Sequence, residues 1–183
     1  MKLEQLHSLT LKSVNESGDL EKLILINMSE LNNLSSIRLF GRLEENLRMS
    51  LLPKNLINLT LSASKLSVDP MPELKNLLML KSLCFYADSY TDKKMDCASG
   101  GFPQLQALRF WNLEKLEEWD IKEGVMPSLV EFEARSCINL AFPSGLKHLK
   151  TIRTIKLRKM NNPFVKNMWL YRKKALLVNV EIN

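Results

Sequence analysis

Leu129-Val130-Glu131-Phe132-Glu133-Ala134-Arg135-Ser136-Cys137-Ile138-Asn139-Leu140 is the stretch that decides the fold. The apolar residues that carry its pattern stand at Leu129, Phe132 and Ala134, then at Cys137 and Leu140. Phe132 and Ala134 flank one other residue, which is the alternation of a short strand with one buried face. Pro143, Gly145, Leu146 and Leu149 follow, so the strand gives way to a return segment closed by further leucines. The same spacing recurs along the chain: an apolar residue, two others, an apolar residue, one other, an apolar residue. It is found at Leu6-Leu9-Leu11, Leu20-Leu23-Leu25, Leu34-Ile37-Leu39, Leu56-Leu59-Leu61, Leu80-Leu83-Phe85, Leu105-Leu108-Phe110 and Ile152-Ile155-Leu157. The middle residues of the later copies, Ile37, Leu59, Leu83, Leu108, Phe132 and Ile155, are evenly spaced. The two earlier steps, from Leu9 to Leu23 and from Leu23 to Ile37, are much shorter.

The even spacing lies inside the period of about 20–29 residues that, with this pattern, is the signature of leucine-rich repeats. One strand per repeat stacks on the next to give a parallel sheet, and the rest of each repeat returns the chain on the outside. No single repeat can bury its apolar face alone, so stability comes from neighbours. The expected fold is an α/β leucine-rich-repeat solenoid: a curved horseshoe with a concave parallel β-sheet and an irregular or short-helical convex side. Residues 1–164 are expected to form about eight irregular repeats, truncated at the N-terminus. Residues 165–183 read as a basic C-terminal tail, with Leu176-Val178-Val180 alternating as a capping strand. Cys137 takes the Asn/Cys position of the repeat, where its S–H can serve a backbone carbonyl in the turn. Ser64 takes the equivalent place after Leu61.

Composition narrows the classes. About 35 of the 183 residues are leucine, while 6 Gly and 7 Pro exclude collagen-like and low-complexity sequence. No apolar run reaches the ~18–20 residues of a membrane span, so no transmembrane segment is expected. Met1-Lys2-Leu3-Glu4-Gln5 lacks an apolar h-region, so no secretory signal is expected. Three cysteines cannot all pair, which fits a reducing, cytoplasmic setting. The net charge of +6 is uneven. From Lys147 onward there are ten Lys/Arg and one acid, Glu181. This basic end suits a solvated face, or else an acidic partner, nucleic acid or an anionic membrane surface. Nucleic acid is not expected, because Trp169 and Tyr171 are its only aromatics and make no stacking platform.

Several phrases go beyond the generic repeat. In order they are Leu52-Pro53-Lys54-Asn55-Leu56, Asp69-Pro70-Met71-Pro72, Lys93-Lys94-Met95 and Gly100-Gly101-Phe102-Pro103-Gln104-Leu105. Then come Leu113-Glu114-Lys115-Leu116-Glu117-Glu118-Trp119, Gly124-Val125-Met126-Pro127-Ser128-Leu129, Cys137-Ile138-Asn139-Leu140 and Pro143-Ser144-Gly145-Leu146. This ordered set resembles the C-terminal leucine-rich-repeat region of plant intracellular nucleotide-binding immune receptors of the coiled-coil class. The resemblance covers roughly residues 1–164. It implies pathogen recognition and a hold on the receptor's nucleotide-binding switch domain. The partners it implies are proteins: a pathogen effector, a host protein or that domain. No GxxxxGK[S/T] loop is present, and Gly100-Gly101 runs into Phe and Pro, so nucleotide binding is not expected here. The lack of a coiled-coil or nucleotide-binding segment points to a fragment or altered gene product.

The side chains between and just past the strand anchors point away from the core. They read Thr10, Ile24, Arg38, Thr60, Cys84, Arg109, Glu133, Lys156, and then Lys12, Ile26, Phe40, Ser62, Tyr86, Trp111, Arg135, Arg158. Arg38, Phe40, Tyr86, Arg109, Trp111, Arg135 and Arg158 form the candidate protein-binding patch, since Arg, Tyr and Trp dominate interface hot spots. In the competing reading the three aromatics fold sideways over the edge of the core. Glu114, Glu117, Glu118 and Asp120 around Trp119 read as a solvated outer turn with the indole packed inward. No catalytic, cofactor or metal residues are expected: no CxxC occurs, and His7 and His148 stand about six repeats apart. Two other classes stay open. One is an extracellular repeat module, suggested by N-x-[S/T] sequons at Asn15, Asn27, Asn33 and Asn58. The other is a free-standing repeat scaffold or decoy.

Overall fold

A computed structural model describes residues 5–44, 48–174 and 178–183; Met1–Glu4, and Leu176 of the expected capping strand, lie outside them. Eight strands form one sheet: β1 (Ser8–Lys12), β2 (Ser36–Phe40), β3 (Asn58–Ser62), β4 (Ser82–Phe85), β6 (Ala107–Trp111), β8 (Glu131–Arg135), β9 (Thr154–Arg158) and β10 (Asn179–Ile182). They lie side by side in chain order, and every pairing is parallel. Two more, β5 (Lys94–Cys97) and β7 (Glu118–Ile121), pair with each other in a separate sheet. The protein is thus α/β with a parallel sheet and few helices, an arrangement compatible with a solenoid. The described helices are α1 (Met71–Leu74), α2 (Asn162–Lys174) and two short 3-10 turns.

Alternation explains the register. Leu9, Ile37, Leu59, Leu83, Leu108, Phe132, Ile155 and Val180 are Cα partners across the sheet and point inward. Two residues on, Leu11, Leu39, Leu61, Phe85, Phe110, Ala134, Leu157 and Ile182 form a second inward column. These columns belong to one continuous apolar core that runs the length of the sheet. Each fully buried Leu or Phe contributes about 1.5–3 kcal/mol. At the centre Phe110 packs edge-on against Phe85 at 5.8 Å, Trp119 at 5.1 Å and Phe132 at 5.6 Å.

The triplet Leu20-Leu23-Leu25 does not supply a strand of this sheet. Leu9 pairs with Ile37 directly, so the first turn of chain is one long repeat and not two short ones. Leu23 is buried, but Ile24 and Ile26 are 76% and 54% exposed. Ile24 and Ile26 therefore leave the outward columns. The reason is a second hydrogen-bonded ladder behind the sheet. Leu23 N–H donates to the Arg42 carbonyl at 2.8 Å, Leu43 N–H to Ser64 at 3.0 Å, and Leu66 N–H to Ser89 at 3.0 Å. Farther along, the ladder becomes the parallel pair of β5 and β7. Behind the sheet this ladder runs beside the short helical turns Met49–Leu51, Met71–Leu74 and Ser144–His148.

The acidic turn around Trp119 is accordingly a strand. Glu118 and Asp120 face out while Trp119 and Ile121 are buried. The Trp119 indole donates to Cys97 Sγ at 3.2 Å. Cys137 Sγ lies 3.3 Å from the Phe110 carbonyl, so the thiol does serve the backbone of the preceding turn. The residues directly after β2, β3, β6, β8 and β9 all have positive φ: Gly41 140°, Ala63 51°, Asn112 55°, Ser136 53° and Lys159 50°. This left-handed step ends these five strands and turns the chain behind the sheet. Gly41 admits no side chain there, since a Cβ would stand 2.8 Å from the Glu21 carbonyl oxygen.

The segment after residue 164 holds most of α2 and all of β10. The Asn161 side chain accepts from Phe164 N–H at 2.7 Å, which caps α2. Phe164 and Met168 are buried, so α2 closes the core behind β9. In β10, Val180 is buried and Asn179–Ile182 pairs with Thr154–Leu157.

Candidate functional site

Strand alternation places all seven candidate residues on or beside the outward face of the main sheet. Arg38 and Phe40 come from β2, Arg109 and Trp111 from β6, Arg135 from β8 and Arg158 from β9. Tyr86 stands one residue past β4. Parallel register then brings distant residues together, because Thr60, Cys84 and Arg109 are successive Cα partners.

Five of the seven line one open depression of about 710 Å³: Arg38, Phe40, Tyr86, Arg109 and Trp111. Ser36, Asn58, Thr60, Ser82 and Cys84 complete its wall and floor. The aromatics are half-buried and neither free in solvent nor folded into the core. Tyr86 and Trp111 meet edge to face with centroids 4.5 Å apart. The Arg135 guanidinium lies 5.6 Å from the Trp111 ring centre, which adds a cation–π contact. Trp111 Nε1 is buried and has no acceptor among the described residues. Arg158 is the Cα partner of Arg135 and is exposed.

The arginines differ in availability. Arg38 is exposed and makes no ion pair among the described residues. Arg109 is committed: its Nη2 donates to Glu131 at 2.6 Å and its Nε lies 3.6 Å from Glu133. Lys156 donates to the other Glu131 oxygen at 3.0 Å. Burial raises the Glu131 pKa, but the Lys156 bond and the Arg109 charge outweigh it and hold the carboxyl below its ordinary range. Glu131 thus pins two cations and stiffens the floor between β6 and β9. Sequence reading missed Glu131 as part of this site. Its signal was its place one residue before the inward Phe132, beside the serine, asparagine and threonine positions of the other strands.

Burial pushes the Cys84 thiol on the floor up to about 12, and among the described residues no imidazole lines the depression. Among the described residues no group of three or more His, Cys, Asp or Glu is placed to hold a metal ion. No described helix is long and apolar enough to cross a membrane.

No protein-family model matches the chain. Curated relatives do. Disease resistance RPP8-like protein 3 of Arabidopsis thaliana is 37% identical over 110 residues, which is 60% of this chain and 12% of that protein. "Probable disease resistance protein RF45" of the same plant is 44% identical over 88 residues, 48% of this chain and 9% of the relative. "Probable disease resistance RPP8-like protein 2" is 33% identical over 117 residues, 63% of this chain and 13% of the relative. The chain is therefore related to plant disease-resistance proteins, and it spans about an eighth or less of their length. The relation supports a role in defence.

Proposed function

We propose that this chain is a leucine-rich-repeat module of a plant intracellular immune receptor, a curved solenoid that binds protein and catalyses nothing. The observation that carries the reading is the division of the sheet. Its inner columns are an almost unbroken Leu/Ile/Phe ladder. Its outer face collects Arg38, Phe40, Tyr86 and Trp111 around one open depression. The defence role of the relatives gives that face a context. The partner is a pathogen effector, a host protein or the nucleotide-binding domain of the parent receptor, whose switch the contact would restrain. Three unpaired, buried thiols fit the reducing cytoplasm. Glu131 is tied to two cations that hold its carboxyl ionised and so is a poor proton donor, which supports a binding role over a catalytic one.

The unpaired indole N–H of Trp111 supports recognition of a polypeptide. A buried donor without an acceptor is uncommon and costly, and a small ring movement would offer it to a partner's carbonyl. Arg38 is the cleaner probe of the face, because removing Arg109 would also take one of the two cations from Glu131 and the ion-pair partner from Glu133. Arg38→Ala and Phe40→Ala should each weaken binding to an immobilised nucleotide-binding domain of a related receptor by roughly tenfold or more, as hot spots do. Their melting temperatures should match the native chain. Unchanged affinity in both variants would sink this assignment of the face.

A further inference from the structure

We propose that α2 is a docking helix for an anionic membrane surface, with Trp169 and Leu170 at lipid level and Lys166 and Lys173 against the headgroups. From Ala134 to Val180 the chain carries eleven Lys/Arg and not one Asp or Glu. Nothing in the recognition face explains that run. Only Lys156, Arg135 through Trp111, and Arg158 belong to that face.

The two faces of α2 divide sharply. Phe164 and Met168 are buried, and Tyr171 packs on Phe142 with ring centres 6.1 Å apart. That face holds the helix to the core. Lys166, Trp169, Leu170 and Lys173 are spaced i, i+3, i+4, i+7, so they share the opposite face. All four are exposed, Trp169 by 45% and Leu170 by 53%. The Arg172 guanidinium lies 5.2 Å from the Trp169 ring centre. Lys166, Arg172 and Lys173 have no carboxylate partner among the described residues.

Charge complementarity and the apolar pair together select the occupant. A nucleic acid would use the cations but would leave Leu170 bare, and it would find the indole already covered by Arg172. An acidic protein patch would likewise leave both apolar side chains unmatched. A bilayer interface uses every group: tryptophan settles at headgroup level, leucine enters the acyl boundary, and lysines meet anionic lipid. Thirteen residues make a helix of about 20 Å, too short to span the hydrocarbon, so α2 would lie in the plane of the surface.

The test uses the whole chain with vesicles of phosphatidylcholine alone or mixed with phosphatidylserine. The native protein should sediment with the mixed vesicles and stay in solution with the neutral ones. Lys166→Gln with Lys173→Gln should lower the partition coefficient roughly thirtyfold. Trp169→Ala should weaken it several-fold. Brominated lipid should quench emission in the native chain and fail to do so in Trp169→Phe, which keeps Trp111 and Trp119. All substituted positions are exposed, and an unchanged melt confirms the fold. No binding to the mixed vesicles, equal binding by the double variant, or no quenching assignable to Trp169 would each overturn the proposal.

Discussion

Replacing Glu131 by glutamine probes whether the floor of the recognition face is held by charge. The carboxylate accepts from Arg109 at 2.6 Å and from Lys156 at 3.0 Å. Glutamine keeps the shape and one acceptor oxygen, but it leaves two cations facing a neutral amide. Hydrogen bonds to charged groups are worth about 1.5–3 kcal/mol each when well shielded. The Glu131 side chain is 23% exposed and those of Arg109 and Lys156 are 31% and 30%, so solvent screens part of this. Discounting the retained bond and the screening leaves a loss of about 1–2 kcal/mol, or about 3–6 °C in melting temperature for a chain of this size. The sign with pH follows from the depressed pKa. The native state holds Glu131 ionised below the pH at which the unfolded chain protonates it, near its ordinary 4.5. The stabilisation is therefore complete above that value and is lost as pH falls through the lower, native pKa. Urea unfolding of both proteins across an acid series should show a constant gap at neutral pH that closes in acid. Coincident unfolding curves at neutral pH, or a gap that ignores pH, would refute the claim that Glu131 organises the face.

Two further outcomes are expected. Gly145→Ala places a Cβ 2.2 Å from the Ile121 carbonyl oxygen and 2.8 Å from Ile121 Cβ. It should cost about 1–3 kcal/mol by overpacking against β7; a melting temperature equal to the native one would show that the turn yields freely. Burial pushes Cys84 and Cys97 up to about 12 and Cys137 up to about 11. The native chain should therefore resist alkylation at about pH 8, while urea exposes all three thiols. Because these pKa values are raised, stability should be intact below the unfolded thiol value and should decline as pH rises through the native ones. Rapid modification of the folded protein would contradict the burial.

Six of the eight apolar triplets fall on strands of the main sheet in correct register, from Leu34-Ile37-Leu39 through Ile152-Ile155-Leu157, because alternation there is strong and evenly spaced. Leu6-Leu9-Leu11 also finds its strand. Leu20-Leu23-Leu25 misleads because a second ladder behind the sheet also buries alternate residues, and periodicity alone does not say which ladder a segment joins. For the same reason β5 and β7 are hard to foresee. Lys94-Met95-Asp96-Cys97 and Glu118-Trp119-Asp120-Ile121 alternate charged with apolar, yet their charges equally suit a solvated turn. Side by side they pair Lys94 with Glu118 at 2.7 Å. At the candidate site, alternation suffices to orient the seven side chains. It does not reveal that Arg109 is engaged and Arg38 free, because the ion pairs of Glu131 join successive strands, far apart in the chain, and depend on register.

The left-handed step that ends five of the strands has a consequence for how such a chain can change over generations. It fixes where β2, β3, β6, β8 and β9 stop, whichever residues occupy the outward positions before it. Arg38, Thr60, Cys84, Arg109, Glu133 and Lys156 occupy equivalent seats and differ in size, charge and polarity, while the inward seats beside them stay apolar. Mutation can redraw the outer surface one seat at a time without reopening the interior. Removing a single residue inside a strand, by contrast, would turn its remaining side chains to the wrong face. Tolerated change in length should therefore come in whole units. Losing one full repeat at β4, for example, would set Leu108 in the seat that Leu83 now holds and leave every other inward column intact.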